Sequence, residues 1–334
     1  MEHYHSFLHK HFGNEDFKVF ALAGDASNRR YYRVSHHQTT NVLMSWEPFQ
    51  AKNYPFLSVL QHFHKHKVHV PEVVAMSESE GLMLLEDLGD LTLERKFWEN
   101  QSSDYSMDFY RKSLDELIKI HFHSTADRSG CTAFKLEFDT EKLLWEVNYG
   151  RKNLLEGMCK YEFSEKANQE ITQAFTNLCE RLHHEPKFIA HRDYHSRNLM
   201  IKFDEIRVID FQDARLGAIQ YDLVSLLRDS YVNIPDDMAN ELIEYYLAAA
   251  KPFLPANFSR AKFDEVYELQ TIQRCFKACG SFSSFFNQRE DTRYLKYISQ
   301  TLMRVMKSLT NFPEYKVFSQ ILIDSGALEK KYVA

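Results

Sequence analysis

Hydrophobic positions in the first 90 residues come in short runs separated by polar turns. Residues 17–22, 31–34 and 41–45 read as three strands, and Gly24-Asp25-Ala26-Ser27-Asn28 reads as the turn joining the first pair. Phe56, Leu57, Leu60 and Phe63 then recur at helical spacing within residues 54–67, and Pro71 closes that stretch. Two more strands are predicted at 72–76 and 82–85, joined by a Ser/Glu/Gly turn. Ahead of all these, Tyr4, Phe7, Leu8 and Phe12 line one side of a short amphipathic helix.

Beyond Leu84-Leu85-Glu86-Asp87-Leu88-Gly89-Asp90 the period lengthens. Phe109, Leu114, Leu117 and Ile118 predict a helix over 108–123, and another is expected over 168–183. Short strands at 188–190, 199–203 and 207–209 interrupt the pattern, which is almost wholly helical from Tyr221 onward. Strands first and helices after, segregated along the chain, predict an α+β fold of two lobes. A small β-rich lobe spans 1–88 and a large, mainly helical lobe spans 89–334.

Composition narrows the partners. A net charge of -6 gives no support for nucleic acid or an anionic membrane as partner. No apolar run approaches the roughly 18 residues of a membrane span, and the His-rich N-terminus lacks the apolar core of a signal peptide, so a cytoplasmic location is expected. The five cysteines are scattered, and Cys275 and Cys279 sit at a helix-face spacing, which reads as reduced thiols. Among His62, His64, His66 and His69 only the pair four apart shares a face; with Lys65 and Lys67 alongside and no Cys or carboxylate among them, a metal centre is not expected there.

The chemistry lies in one segment. An apolar strand runs into His191-Arg192-Asp193, Asn198 follows five residues after Asp193, and a second strand pair ends in Asp210-Phe211. Phosphoryl transfer needs a carboxylate to orient a hydroxyl and take its proton, and oxygen ligands for magnesium beside the phosphates of ATP. Asp193 fits the first task; Asn198 and Asp210 fit the second. This spacing, followed by a strand ending in Asp-Phe, matches the catalytic loop and metal-binding Asp of kinases. Only Phe211-Gln212-Asp213-Ala214-Arg215-Leu216-Gly217 separates Asp210 from the next helical pattern. That leaves no room for a segment that docks a protein substrate, so the acceptor is expected to be a small molecule.

With these motifs, the chain resembles the aminoglycoside phosphotransferase and choline kinase group, which shares the protein-kinase-like fold. It resembles in particular the bacterial kinases of cell-wall recycling that phosphorylate N-acetylmuramate and N-acetylglucosamine at the anomeric hydroxyl. The segments carrying the likeness are 24–33, 84–90, 191–200, 208–214, 221–229 and 273–282. The resemblance implies Asp193 as base and Asn198 and Asp210 as magnesium ligands. It implies Leu85, Glu86, Asp87 and Leu88 as the linker meeting the adenine, and Gly24, Asp25, Ala26, Ser27 and Asn28 as the turn over the phosphates. The chain departs from the kinase pattern at Met44, which takes the place of the strand lysine. Arg30, with Arg29 and Arg33, is a candidate for the missing positive charge.

Further residues carry a functional and a structural reading. His195 lies inside the loop, either contacting substrate or shaping the turn. Arg192 and Arg197 flank Asp193, one facing phosphate and the other supporting the loop. Asp222 is expected to cap a helix and support the loop. Arg228 and Asp229 either line the acceptor site or form a surface pair. Arg274 and Lys277, three apart, form either a solvated face or a cationic contact for an acceptor carboxylate. Glu146 is expected at the surface, with sugar hydroxyls as its functional alternative. Besides an amino-sugar kinase, two readings stand: a kinase for an aminoglycoside, choline or another amine, and a non-catalytic nucleotide-binding protein.

Overall fold

The computed structural model describes residues 3–22, 29–99 and 103–332. The turn at Gly24–Asn28 lies outside the described residues.

After helix α1 (His5–Phe12) come strands β1 (Phe17–Ala21), β2 (Arg30–His36) and β3 (Thr39–Ser45), helix α2 (Pro55–Lys65), and strands β4 (Val73–Ser77) and β5 (Leu82–Glu86). The five strands form one antiparallel sheet in the order β1-β2-β3-β5-β4. Because side chains alternate across a strand, the inner strands β3 and β5 feed two cores. Val34, Leu43, Leu82 and Leu84 pack with Tyr4, Phe7 and Leu8 of α1. Met44, Met83 and Leu85 face the other way, into the large core that holds Phe56, Leu57, Leu60 and Phe63 of α2. Two of those, Phe56 and Phe63, stand 5.1 and 5.9 Å from the Phe211 ring, which joins the first lobe to the residue after Asp210.

The second lobe opens with α3 (Leu93–Glu99), α4 (Ser103–Ile118), α5 (Thr140–Gly150) and α6 (Glu165–His183). The helix expected at 108–123 begins earlier and ends in a wider π-type turn, Lys119–Ser124; α5 is continued by another, Arg151–Met158. Strands β6 (Phe188–Ala190), β7 (Leu199–Lys202), β8 (Glu205–Val208) and β9 (Arg215–Gly217) form two small antiparallel pairs, β6 with β9 and β7 with β8. Three residues with no strong period gave β9 no signal in the sequence. Helices α7 (Ile219–Leu227), α8 (Asp236–Ala250), α9 (Arg260–Arg289), α10 (Ile298–Leu309) and α11 (Lys316–Asp324) complete the lobe. No helix among the described residues is long and apolar enough to cross a membrane.

α9 is the spine of this lobe. It is 30 residues long, with buried positions along most of its length. Where it crosses α5, two glycines meet: a Cβ on Gly280 would lie 2.4 Å from the Gly150 Cα, and one on Gly150 would lie 2.8 Å from the Phe276 ring. Backbone meets backbone at that crossing, and neither helix has a flexible side chain to move aside. Gly280→Ala is therefore expected to destabilise the fold by roughly 1–3 kcal/mol through overpacking, read as a lower denaturant midpoint at unchanged slope.

Candidate active site

The loop between β6 and β7 is held by buried carboxylates and not by regular structure. Asp222, fully buried in α7, accepts the backbone N–H groups of His191 (2.6 Å) and Arg192 (3.0 Å). It lies inside the helix; the capping position belongs to Ala218, so the expected capping role is corrected and the loop support remains. Asp229 accepts the Ser196 N–H and hydroxyl at 2.8 and 2.6 Å and the Tyr231 N–H at 2.8 Å. Burial pushes the Asp229 carboxyl above the usual range. It is neither a surface pair with Arg228 nor free for a ligand. Arg228 instead pairs with Asp236 at 2.6 Å. The His191 ring donates from Nε2 to the Ile209 carbonyl at 2.9 Å, tying the loop to the end of the β7–β8 pair.

Two loop residues are strained. Arg192 (φ 83°) and Asp210 (φ 65°) both adopt left-handed backbone, which costs a non-glycine residue about 1 kcal/mol or more. Arg192 uses its side chain for ion pairs with Asp213 (2.9 Å) and Asp193 (3.7 Å). Asn198 donates from Nδ2 to the Asp193 carbonyl (2.9 Å) and to Asp210 Oδ2 (3.3 Å), and its amide oxygen has no partner among the described residues. Burial raises the Asp210 carboxyl; Gln212 opposes the shift and the nearby Asp193 charge adds to it. An amide oxygen and a crowded carboxylate are the hard donors a magnesium ion takes, so the pair fits that ion.

Asp193 lines two pockets at once. The first, about 950 Å³, is the cleft between the lobes and is bounded by Val42, Leu85, Glu86, Asp87, Leu88, Met200, Ile209, Asn198 and Asp210, among others. All four expected linker residues reach it. Arg30 does not: it lies exposed on the opposite face of β2, while Arg29, Tyr31 and Arg33 face the cleft. Alternation along the strand decides this, and it corrects the expectation for Arg30. Arg33 is committed to Asp87 (2.7 Å) and Asp90 (2.9 Å). Met44 is fully buried in the core.

The second pocket lies on the other side of Asp193, between the loop, α7 and α9. His195, Ser225, Arg228, Tyr231, Arg274, Lys277 and Phe282 line it. Arg274 and Lys277 are not a solvated face: Arg274 is buried, Lys277 is largely covered, and they reach Asp193 Oδ1 at 3.4 and 3.9 Å. Burial works against the charge of Asp193, but Lys277, Arg192 and Arg274 outweigh it and hold the carboxyl well below the usual range. Burial and Arg274 bring the Lys277 ammonium down to about 8. Burial brings His195 down to about 3, so its ring is neutral, and its Nδ1 is buried without a partner among the described residues.

Two expected contacts are structural. Glu146 is fully buried, accepting from the Tyr221 hydroxyl (3.1 Å) and Gln273 (2.9 Å), which corrects its expected surface position. The Arg197 guanidinium is bidentate on Glu94 (2.8 and 2.9 Å) and stacked 3.7 Å from the Tyr231 ring, so it braces the loop. The sequence reading assigned no role to Glu94, Asp213, Ser225 or Tyr231; Asp213 and Ser225 lie within segments that carry the family likeness, while Glu94 and Tyr231 lie outside them. Away from the site, His62 and His66 acquire Asp127 as a neighbour, a carboxylate 61 residues from His66, and Lys65 pairs with that same oxygen.

A β lobe over a helical lobe, a carboxylate on a braced loop and an Asn/Asp pair across a cleft define a phosphotransferase of the protein-kinase-like fold. The chain belongs to the phosphotransferase enzyme family, which matches residues 18–261. It acts on a hydroxyl acceptor. It is 28% identical over 311 residues to a protein of Neisseria meningitidis named N-acetylmuramate/N-acetylglucosamine kinase, covering 92% of this chain and 91% of that one. A protein of Pseudomonas putida with the same name is 26% identical, with 92% and 88% covered. Among solved structures, an ADP-bound aminoglycoside phosphotransferase aligns at a TM-score of 0.59 and 14% identity, covering 89% of this chain and 96% of that one. The amicoumacin kinase solved with AMP-PNP and calcium aligns at 0.60 and 14%, with 89% of each chain covered.

Removing the Asp222 carboxylate strands two buried N–H donors and unpins a strained loop. Asp222→Ala is expected to cost roughly 2–4 kcal/mol in urea unfolding, far more than an exposed substitution.

Proposed function

We propose that this protein transfers the γ-phosphoryl group of ATP to a sugar hydroxyl, the anomeric hydroxyl of N-acetylmuramate or N-acetylglucosamine. The observation that carries the reading is the position of Asp193, on the boundary between the interlobe cleft and the cationic pocket. A carboxylate there meets the nucleotide's terminal phosphate on one side and an acceptor hydroxyl on the other.

In this reading the backbone of Leu85–Leu88 takes the adenine, and Arg29, on the cleft face where a strand lysine is missing, supplies positive charge toward the phosphates. Asn198 and Asp210 hold magnesium, which when bound neutralises the phosphate oxygens. Asp193 orients the acceptor hydroxyl and takes its proton. Its low proton affinity makes it an orienting group before it is a base. That suffices for a loose transition state, and it suits a hemiacetal hydroxyl, which is more acidic than an ordinary alcohol. The neutral His195 ring offers a nitrogen to the same hydroxyl or its neighbour.

The named relatives support the amino sugar as acceptor class. So does the pocket: Arg228, Arg274 and Lys277 line it, and of its two carboxylates Asp193 stands among cations and Asp229 is spent on Ser196 and Tyr231. A cationic acceptor such as choline or an aminoglycoside would meet like charge there. An intact base and both metal ligands likewise favour an enzyme over a non-catalytic nucleotide binder. The activity belongs to recycling of cell-wall sugars, in the cytoplasm where ATP is supplied.

Asp193→Asn is expected to lower kcat by roughly 10²–10⁴ while magnesium-ATP affinity, measured by calorimetry, stays within a few fold. Full turnover in that variant would sink the assignment.

A further inference from the structure

A third pocket stands apart from the two that meet at Asp193. It measures about 760 Å³, lies between β9, the start of α5 and the segment 134–139, and shares no described lining residue with either of them. Arg215 of β9 lines it and is 9% exposed. Among the described residues this guanidinium has no ion pair, and it makes one hydrogen bond, from Nε to the Asp213 carbonyl at 3.3 Å. A buried charge is costly unless an opposite charge stands against it. The carboxylates around Arg215 are taken: Asp213 pairs with Arg192 at 2.9 Å, and Glu146 accepts from Tyr221 and Gln273. Lys142 of α5 lines the same pocket and also lacks an ion pair among the described residues. Its Nζ rests 3.9 Å from the centre of the Trp145 ring, where an ammonium goes when no anion is in reach. Burial, with Arg192 nearby, holds both the Arg215 guanidinium and the Lys142 ammonium below their usual ranges. The pocket's own carboxylates do not fill the gap. Asp139 caps α5 by accepting the Lys142 N–H at 2.7 Å, Glu137 lies 3.9 Å from His183, and Glu141 is exposed.

We propose that this pocket is a second ligand site, which binds a sugar phosphate with its phosphate on Arg215 and Lys142 and its hydroxyls on Glu137 and Glu141. Charge selects the phosphate. A phosphomonoester carries about two negative charges at neutral pH and neutralises both cations, where a carboxylate would neutralise one. The flat guanidinium takes two of its oxygens and the ammonium a third. The rest of the lining suits a polyhydroxylated ring. Carboxylates at the rim accept hydroxyl hydrogens, and Leu136 and Trp145, 50% and 52% exposed, offer apolar surface to the C–H face of a sugar. One side-chain movement serves both ends of the ligand: when Lys142 leaves the Trp145 ring for the phosphate, it uncovers the ring. The inference goes beyond the kinase reading. It does not depend on which acceptor is phosphorylated, and no step of the transfer passes through this pocket.

The test titrates N-acetylglucosamine 1-phosphate by calorimetry into full-length protein saturated with magnesium and AMP-PNP, whose γ-phosphate keeps a second phosphate out of the transfer site. The loaded wild-type protein is expected to bind the probe. Lys142→Gln is expected to weaken that binding by about tenfold or more, with the denaturant midpoint and the AMP-PNP affinity unchanged, because Lys142 is only partly covered and belongs to neither other pocket. Arg215→Gln should weaken it at least as much; since Arg215 is buried, the exposed-side variant keeps the test decisive if that protein folds poorly. Binding is also expected to change the tryptophan fluorescence of the wild type and not that of Trp145→Phe. No binding to the loaded wild type overturns the proposal, and so does equal affinity in Lys142→Gln. Displacement of the probe by unphosphorylated N-acetylglucosamine overturns it too, because the probe then sits where an acceptor sugar does. Inorganic phosphate that binds as tightly as the probe overturns the assignment of a sugar.

Discussion

One buried carboxylate sets the shape of the site. Asp222 spends both oxygens on consecutive backbone N–H groups, those of His191 and Arg192, and so holds the chain in a left-handed turn it would not otherwise adopt. Everything downstream inherits that turn: the direction of Asp193, the return of the chain to Asn198, and the bond from His191 that fixes the end of β8 ahead of Asp210. Asp229 repeats the device at Ser196, and Arg197 braces the far end on Glu94. Backbone that belongs to no helix or sheet must find partners somewhere, and here the side chains of Asp222 in α7 and Asp229 just past its end provide them.

The second constraint is charge. Asp193 is kept ionised in a buried setting by cations from two directions, Arg192 in its own loop and Arg274 with Lys277 on α9. Removing a charge from water is expensive, and the arrangement is stable because no member stands without an opposite partner. The geometry also divides labour: Asp210 and Asn198 face the cleft, Arg274 and Lys277 face the second pocket, and Asp193 belongs to both.

Much of this was legible in the sequence, for particular reasons. The five strands of the sheet could be read because their apolar runs are short and bounded by turn residues. The grouping of Asp193, Asn198 and Asp210 could be read because their spacing follows a kinase pattern, and the three meet at one cleft. Glu146, Arg274 and Lys277 were harder. Each is charged and sits on a helix, so local pattern predicts solvent, and only the crossing of α5 over α9 buries them. Asp222 looked like a cap because acidic residues favour helix starts; its true partners lie 30 residues away. Arg30 was misassigned by one position, which on a strand is the difference between the two faces.

The linker between the lobes carries one further consequence. Arg33 of β2 spends its guanidinium on Asp87 and Asp90, while Lys202 of β7 takes Glu86 and the Asp87 carbonyl. The linker is thereby laced to the sheet above and to the helical lobe below. The width of the cleft at the linker is then an electrostatic quantity more than a packing one. Because Asp90 is largely solvent-facing, ionic strength reaches the linker, and the opening of the cleft becomes a property of the surrounding salt as well as of the fold.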